Sequence, residues 1–115
     1  MKIELTRFRV KEGKSPRVDA WMQTLKDNID ACIETLEGEK MCVEAIFREQ
    51  KDGQDYLYWF SVQGEGGINV ADSHHKIDKK HVAFAKECLD REPGSKTEIP
   101  LELFMKAKRL NFETL

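Results

Sequence analysis

The sequence predicts an α+β sandwich, a four-stranded antiparallel sheet with two helices on one face. Three observations predict it. Apolar residues alternate with period two in four segments and recur at three- and four-residue steps in two others, the patterns of half-buried strands and amphipathic helices. These segments follow in the order β-α-β-β-α-β. Between the two central strands stands Asp52-Gly53, the residue pair that favours a two-residue hairpin turn.

The first strand is predicted over Lys2–Val10, where Ile3, Leu5, Phe8 and Val10 alternate except for one slip at Thr6-Arg7. Such a slip predicts a bulge. Ser15-Pro16 opens the first helix, with Ser15 as a cap and Pro16 where its missing N–H costs nothing. Val18, Trp21, Met22, Leu25, Ile29, Cys32, Ile33 and Leu36 form one buried stripe along it, and Gly38 ends it. Met41–Gln50 and Asp55–Val62 are the hairpin strands, the second rich in aromatic residues. A glycine-rich link, Gly64-Glu65-Gly66-Gly67, leads to a second helix capped by Asp72 or Ser73 and reaching Leu89. Thr97–Ala107 is the last strand, with Ile99, Leu101, Leu103 and Met105 alternating. Residues 1–107 thus make one domain, and 108–115 a tail.

Strand-helix-strand repeated about a hairpin is the split βαβ, or ferredoxin-like, arrangement. With both helices on one face, the other face of the sheet is open in a single copy. If Asp52-Gly53 is the turn, Phe47 faces Tyr58, Ala45 faces Phe60 and Val43 faces Val62. This apolar set is expected under the helices. The other set joins Ile46, Trp59, Leu57 and Phe104 to Glu4, Thr6, Glu44, Arg48 and Glu102. A mixed face of that kind suits a sheet-to-sheet homodimer around a partly wet cavity, because a dry core would not hold unpaired acids.

At 115 residues the chain has room for one core. Its net charge of −2, with acids and bases interleaved, argues against a nucleic-acid partner. No apolar run approaches bilayer length, so no membrane partner is expected. The opening residues lack a signal-peptide core. Cys32, Cys42 and Cys88 have no zinc or disulfide spacing, which predicts reduced thiols in a cytoplasmic protein. No cofactor motif is present.

Three stretches carry a resemblance: IELTRFRVKEGK from Ile3, EKMCVEAIFREQKDGQDYLYWFSVQGEGG from Glu39 and DSHHKIDKKH from Asp72. They resemble a family of small uncharacterised bacterial proteins, a domain of unknown function of the dimeric α/β-barrel type. The resemblance spans about residues 2–105. It implies the ferredoxin-like fold and no activity. The wider superfamily holds monooxygenases of quinone-like substrates, haem-degrading enzymes and sugar mutarotases, and no catalytic motif of theirs carries over.

Two constellations are candidate sites. Glu44, Arg48, Trp59 and Phe104 on the mixed face would bracket a small organic ligand, with Glu44 as a base in apolar surroundings. The alternative is an ion-pair network in a dimer interface, making the protein a non-catalytic interaction module. His74, Asp78 and His81, spaced i, i+4, i+7, share a helical stripe. They offer an acid/base group in His74 or His81, or, as a second alternative, a metal site. The structural alternative is that His74 bonds the loop and His81 is a satisfied, partly buried histidine. The glycine link suits a rim over a cavity better than a phosphate loop, since Glu65 would sit in the cradle. Lys76, Lys79 and Lys80 read as a solvated face, and Cys42 as a packed thiol.

Overall fold

The computed structural model describes residues 1–109. The elements are β1 (Lys2–Arg9), α1 (Ser15–Asp27), α2 (Ile29–Gly38), β2 (Met41–Lys51), β3 (Gln54–Gln63), a 3₁₀ turn (Val70–Asp72), α3 (Lys76–Cys88) and β4 (Lys96–Ile99). The sheet order is β2-β3-β1-β4, every pair antiparallel. This is the ferredoxin-like sandwich expected from the element order, with one helix broken in two.

The hairpin forms as its turn residues dictate. Asp52 and Gly53 both have positive φ, 53° and 76°, as a type I′ turn requires. Lys51 pairs with Gln54, and the register runs back through Phe47↔Tyr58 and Ile46↔Trp59. The bulge expected in β1 is absent. β1 pairs with β3 without a shift from Lys2↔Gln63 to Arg9↔Tyr56. Thr6 accounts for the slip in the apolar pattern: it lies buried opposite Trp59, taking an inward position with a polar side chain. A bulge does occur at Cys42, between Met41 and Val43 of β2.

The register is as expected, but the faces are reversed. The helices cover the mixed set. Leu57 and Val10 join Val18 and Trp21 of α1 and Cys88 and Leu89 in the core, with Ile46, Trp59 and Phe8 packed against it. The apolar set of Ile3, Leu5, Val43, Ala45, Phe47, Tyr58, Phe60 and Val62 alternates to the opposite face. Phe47 is 61% exposed there. A period of two says which residues share a face and not which face the helices choose.

The single long helix is interrupted at Asn28, whose backbone turns to φ −122° and ψ 32°. Its side-chain amide donates to the Thr24 carbonyl (2.8 Å) and its N–H to Leu25 (3.2 Å). Asparagine competes in this way with the helical ladder. α2 is re-aimed, so Ile29 and Ile33 leave the buried stripe and are exposed. Ser15 begins α1 and bonds Asp55 Oδ2 at 2.8 Å rather than capping the helix. Lys40, not Gly38, takes the left-handed backbone after α2, with φ 55°.

The last strand is short. β4 pairs with β1 from Lys96 to Ile99 and stops before Pro100, which has no N–H to continue a ladder. Residues 100–109 carry neither helix nor strand and are exposed throughout. The radius of gyration is 15.1 Å, against roughly 13 Å for a compact domain of this length. Of the expected tail, residues 110–115 lie outside the described residues.

Candidate functional site

A cavity of about 550 Å³ lies between the sheet and the helices, within the usual size range of small-molecule sites. β2 and β3 supply Glu44, Ile46 and Trp59. α1 supplies Met22 and Leu25, α2 Cys32 and Leu36, and α3 Ile77, Asp78 and His81. The break at Asn28 opens this space, because α2 no longer continues α1 across the sheet. Ile29, Ile33 and Ile68 stand at its rim, each about half exposed. The glycine link carries Ile68 to that rim. It is tied down by Gly64 N–H to the Lys40 carbonyl (2.7 Å) and Ile68 N–H to the Gly38 carbonyl (3.2 Å). Gly67 lies so close to Glu39 that a Cβ there would overlap the Glu39 carbonyl. A second hollow, of about 700 Å³, flanks the other side of the Trp59–His81 pair, beside Thr6, Ser61 and Lys96.

His81 is held in one protonation state by its neighbours. The buried Trp21 donates its indole N–H to His81 Nδ1 at 3.0 Å. An Nδ1 that accepts carries no proton, so the neutral ring bears its proton on Nε2. Burial pushes the His81 pKa down, while the charge of Asp78 opposes that shift. Trp59 packs on the same imidazole with ring centres 5.0 Å apart, and Phe84 stacks on Trp21 at 6.3 Å.

Glu39, Glu44 and Asp78 bring carboxyl groups to the same cavity. Burial raises the Glu44 pKa. A hydrogen bond from Trp59 tempers the rise and the charge of Asp78 adds to it. Burial, then the charges of Asp78 and Glu44, raise Glu39 from 4.5 to about 7. Asp78 sits in the first turn of α3, 6% exposed. Its Oδ2 is buried without any hydrogen-bond partner among the described residues. Buried carboxylate oxygens are rarely left so.

Glu39 gives a pH signature of defined sign. Its folded pKa lies above its unfolded value, so the folded state holds the proton more tightly. Its contribution falls as pH rises from about 4.5 and levels off above about 7. His81 acts oppositely, losing stability as pH falls below its ordinary 6.5. Glu39→Gln removes only the first effect. The variant is expected to gain on the native chain between pH 5 and 8.5 by on the order of 2–3 kcal/mol. Urea unfolding of both proteins across that range checks it, and parallel profiles would refute it.

The other candidates fall elsewhere. Arg48 shares the helix-covered side but turns to the start of α1. Its Nε donates to Asp55 Oδ1 (3.1 Å), its Nη2 to Asp55 Oδ2 (2.6 Å), and its Nη1 pairs with Asp19. Burial raises the Asp55 carboxyl, but the Arg48 and Ser15 hydrogen bonds and the Arg48 charge outweigh it and hold the pKa below the usual range. Arg48 therefore clamps the hairpin to α1 and does not line the cavity. Phe104 lies beyond β4, 43% exposed, because the strand has ended. His74 precedes α3, which starts at Lys76, and is exposed. It shares no stripe with Asp78 and His81, and no trio of His, Cys, Asp or Glu among the described residues is placed to hold a metal ion. Cys42 is exposed at the β2 bulge.

Two residues of the site escape sequence reasoning. Trp21 reads as one more member of an apolar stripe, and Glu39 as a loop residue after a helix-ending glycine. Only the meeting of α1 with α3, and of the α2 end with β2, gives them their partners.

A family model described as a family of unknown function (DUF6176) matches residues 1–111. The fold is similar to the crystal structure of an L-rhamnose mutarotase from Formosa agariphila. That likeness has a TM-score of 0.53 and 18% sequence identity, and covers 94% of this chain and 100% of the other. At that identity it carries the fold alone. No curated protein matches the sequence. No helix among the described residues is long and apolar enough to cross a membrane.

Proposed function

Since the chain belongs to a family of unknown function, we propose its function from the cavity itself: it binds a neutral, hydroxyl-bearing organic molecule between sheet and helices and moves a proton on it. The observation that carries this reading is the unpartnered Oδ2 of Asp78, a buried acceptor at the cavity wall. A ligand hydroxyl satisfies it. The cavity presents three carboxyl groups and apolar walls, with Lys26 the one basic side chain that lines it. That favours a neutral ligand over an anion. Glu44, whose pKa burial raises, and the Nε2–H of His81 are the acid/base pair, and Trp59 is the wall against which the ligand lies. The homodimer belongs to the same reading, with the site moved. The apolar open face pairs two copies, and each copy keeps its own cavity under its helices.

L-rhamnose is the first probe, because a protein of similar fold is named for it, followed by other neutral monosaccharides and small phenols. A ligand should raise the melting temperature and shift the His81 ring signals in NMR. Glu44→Gln should lower proton-transfer turnover by about a hundredfold or more, and Asp78→Asn should weaken binding. If none of the probes perturbs His81, the reading fails. A purely non-catalytic interaction module remains the second reading, favoured by the apolar open face, and binding without turnover would support it.

A further inference from the structure

Exposure orders the cavity under the helices from floor to mouth, and the chemistry changes along the way. Asp78 and Glu39 are 6% and 5% exposed, whereas Ile29, Ile33 and Ile68 at the rim are 53%, 57% and 49% exposed. Ile29 and Ile33 stand four residues apart on α2, so they share one face of it. Ile68 comes from the glycine link, whose Ile68 N–H donates to the Gly38 carbonyl at the end of α2. A single exposed isoleucine needs no explanation. Three of them, brought from two separate segments to one opening, form a grouped apolar surface, and such a surface marks a contact with something else. Lys26, exposed on the same lining, does not break the patch, since a lysine lays its methylene stem on apolar surface and keeps its charge in water.

We infer that the ligand of this cavity is amphiphilic: its hydroxyl-bearing head lies inside against Asp78, and an uncharged aliphatic or aromatic substituent leaves through the mouth over Ile29, Ile33 and Ile68. The inference rests on the cavity being the binding site for a neutral hydroxyl-bearing molecule, and adds what the rest of that molecule is. Much of the remaining lining is apolar, with Met22, Leu25, Leu36 and Ile46 among it. Thr35 and Gln63 also line the cavity, but their hydrogens already go to the Cys32 carbonyl (2.7 Å) and the Glu39 carbonyl (2.9 Å). A second hydrophilic unit would therefore give up its water for few new hydrogen bonds. An apolar substituent has no such cost. It also takes the three rim isoleucines out of water, which a bare head leaves exposed.

Calorimetric titration of the full chain with two graded series tests this. One is methyl, butyl and hexyl α-L-rhamnoside, and the other is phenol with 4-ethylphenol and 4-butylphenol, all below any micellar concentration. In at least one series affinity should rise by about two- to fourfold for each added methylene. Ile29→Gln with Ile33→Gln should flatten that rise, so that the longest and shortest members bind alike. Glutamine keeps the helix, and circular dichroism should match that of the native chain. Phe47→Gln changes an equally exposed apolar residue on the opposite face of the sheet, and should leave the rise as it is. Asp78→Asn should weaken all members of the series together. If a head binds through Asp78 and chain length makes no difference, the substituent is refuted and the head site stands. If affinity follows chain length but ignores the isoleucine variant, the rim is refuted as its seat. Binding of neither series overturns the cavity reading and this inference together.

Discussion

Replacing Trp21 by alanine is expected to cost about 3–5 kcal/mol, the usual loss for a buried tryptophan, and to leave the domain close to unfolding at 37 °C. Trp21 is 0% exposed and packs among Trp59, His81 and Phe84. Few small domains hold more than about 5–15 kcal/mol in total. Thermal unfolding followed by circular dichroism measures the loss. Trp21→Phe separates packing from chemistry. It keeps most of the volume but removes the indole donor, so His81 Nδ1 loses its hydrogen bond. The ring can then be protonated more easily, and the His81 pKa should rise. A proton titration of the His81 ring reads this directly. An unchanged titration would mean that the indole does not set the protonation state.

Gly67→Ala is the second large effect. A Cβ there overlaps the Glu39 carbonyl, a backbone atom that cannot swing aside. The link must lift away from the end of α2, breaking the Ile68–Gly38 bond and disturbing that of Gln63 Nε2 to the Glu39 carbonyl (2.9 Å). Two hydrogen bonds plus the overlap amount to about 2–3 kcal/mol. Gly66→Ala is the control. Gly66 has φ +83° but open space around its Cβ position, so it should cost only the left-handed backbone term of about 1–2 kcal/mol. Equal losses in the two variants would show that the link is not pressed against Glu39. Gly67→Ala should also expose Glu39 and bring its pKa back toward 4.5 from about 7.

Local signals were enough for much of the fold. Asp52-Gly53 set the hairpin and, through it, the pairing of Ile46 with Trp59 and Phe47 with Tyr58. What alternation could not decide was the choice of face. Polarity pointed the wrong way, because the helix-covered side encloses a cavity with Glu44 and Asp78 in its wall while Leu5, Phe47 and Phe60 face outward. The interruption at Asn28 was invisible, since Ile29, Ile33 and Leu36 continue the stripe of α1 on paper. Glu44, Trp59 and His81 were each legible as candidates. Their meeting in one cavity depends on how α1, α2 and α3 pack. Arg48 pairs with Asp55, which lies across the hairpin turn, and only the folded hairpin brings the two side chains together.

The bulge at Cys42 has a bearing on how the protein behaves when crowded. β2 is an outer strand of the sheet, with a free row of backbone donors and acceptors. Such a rim invites end-on growth into fibres unless it is spoiled. Here one end of β2 is kinked by the extra residue and the other carries Arg48, Glu49 and Lys51. The opposite rim is only the four residues of β4, closed off by Pro100. Lateral accretion is thus blocked on both sides.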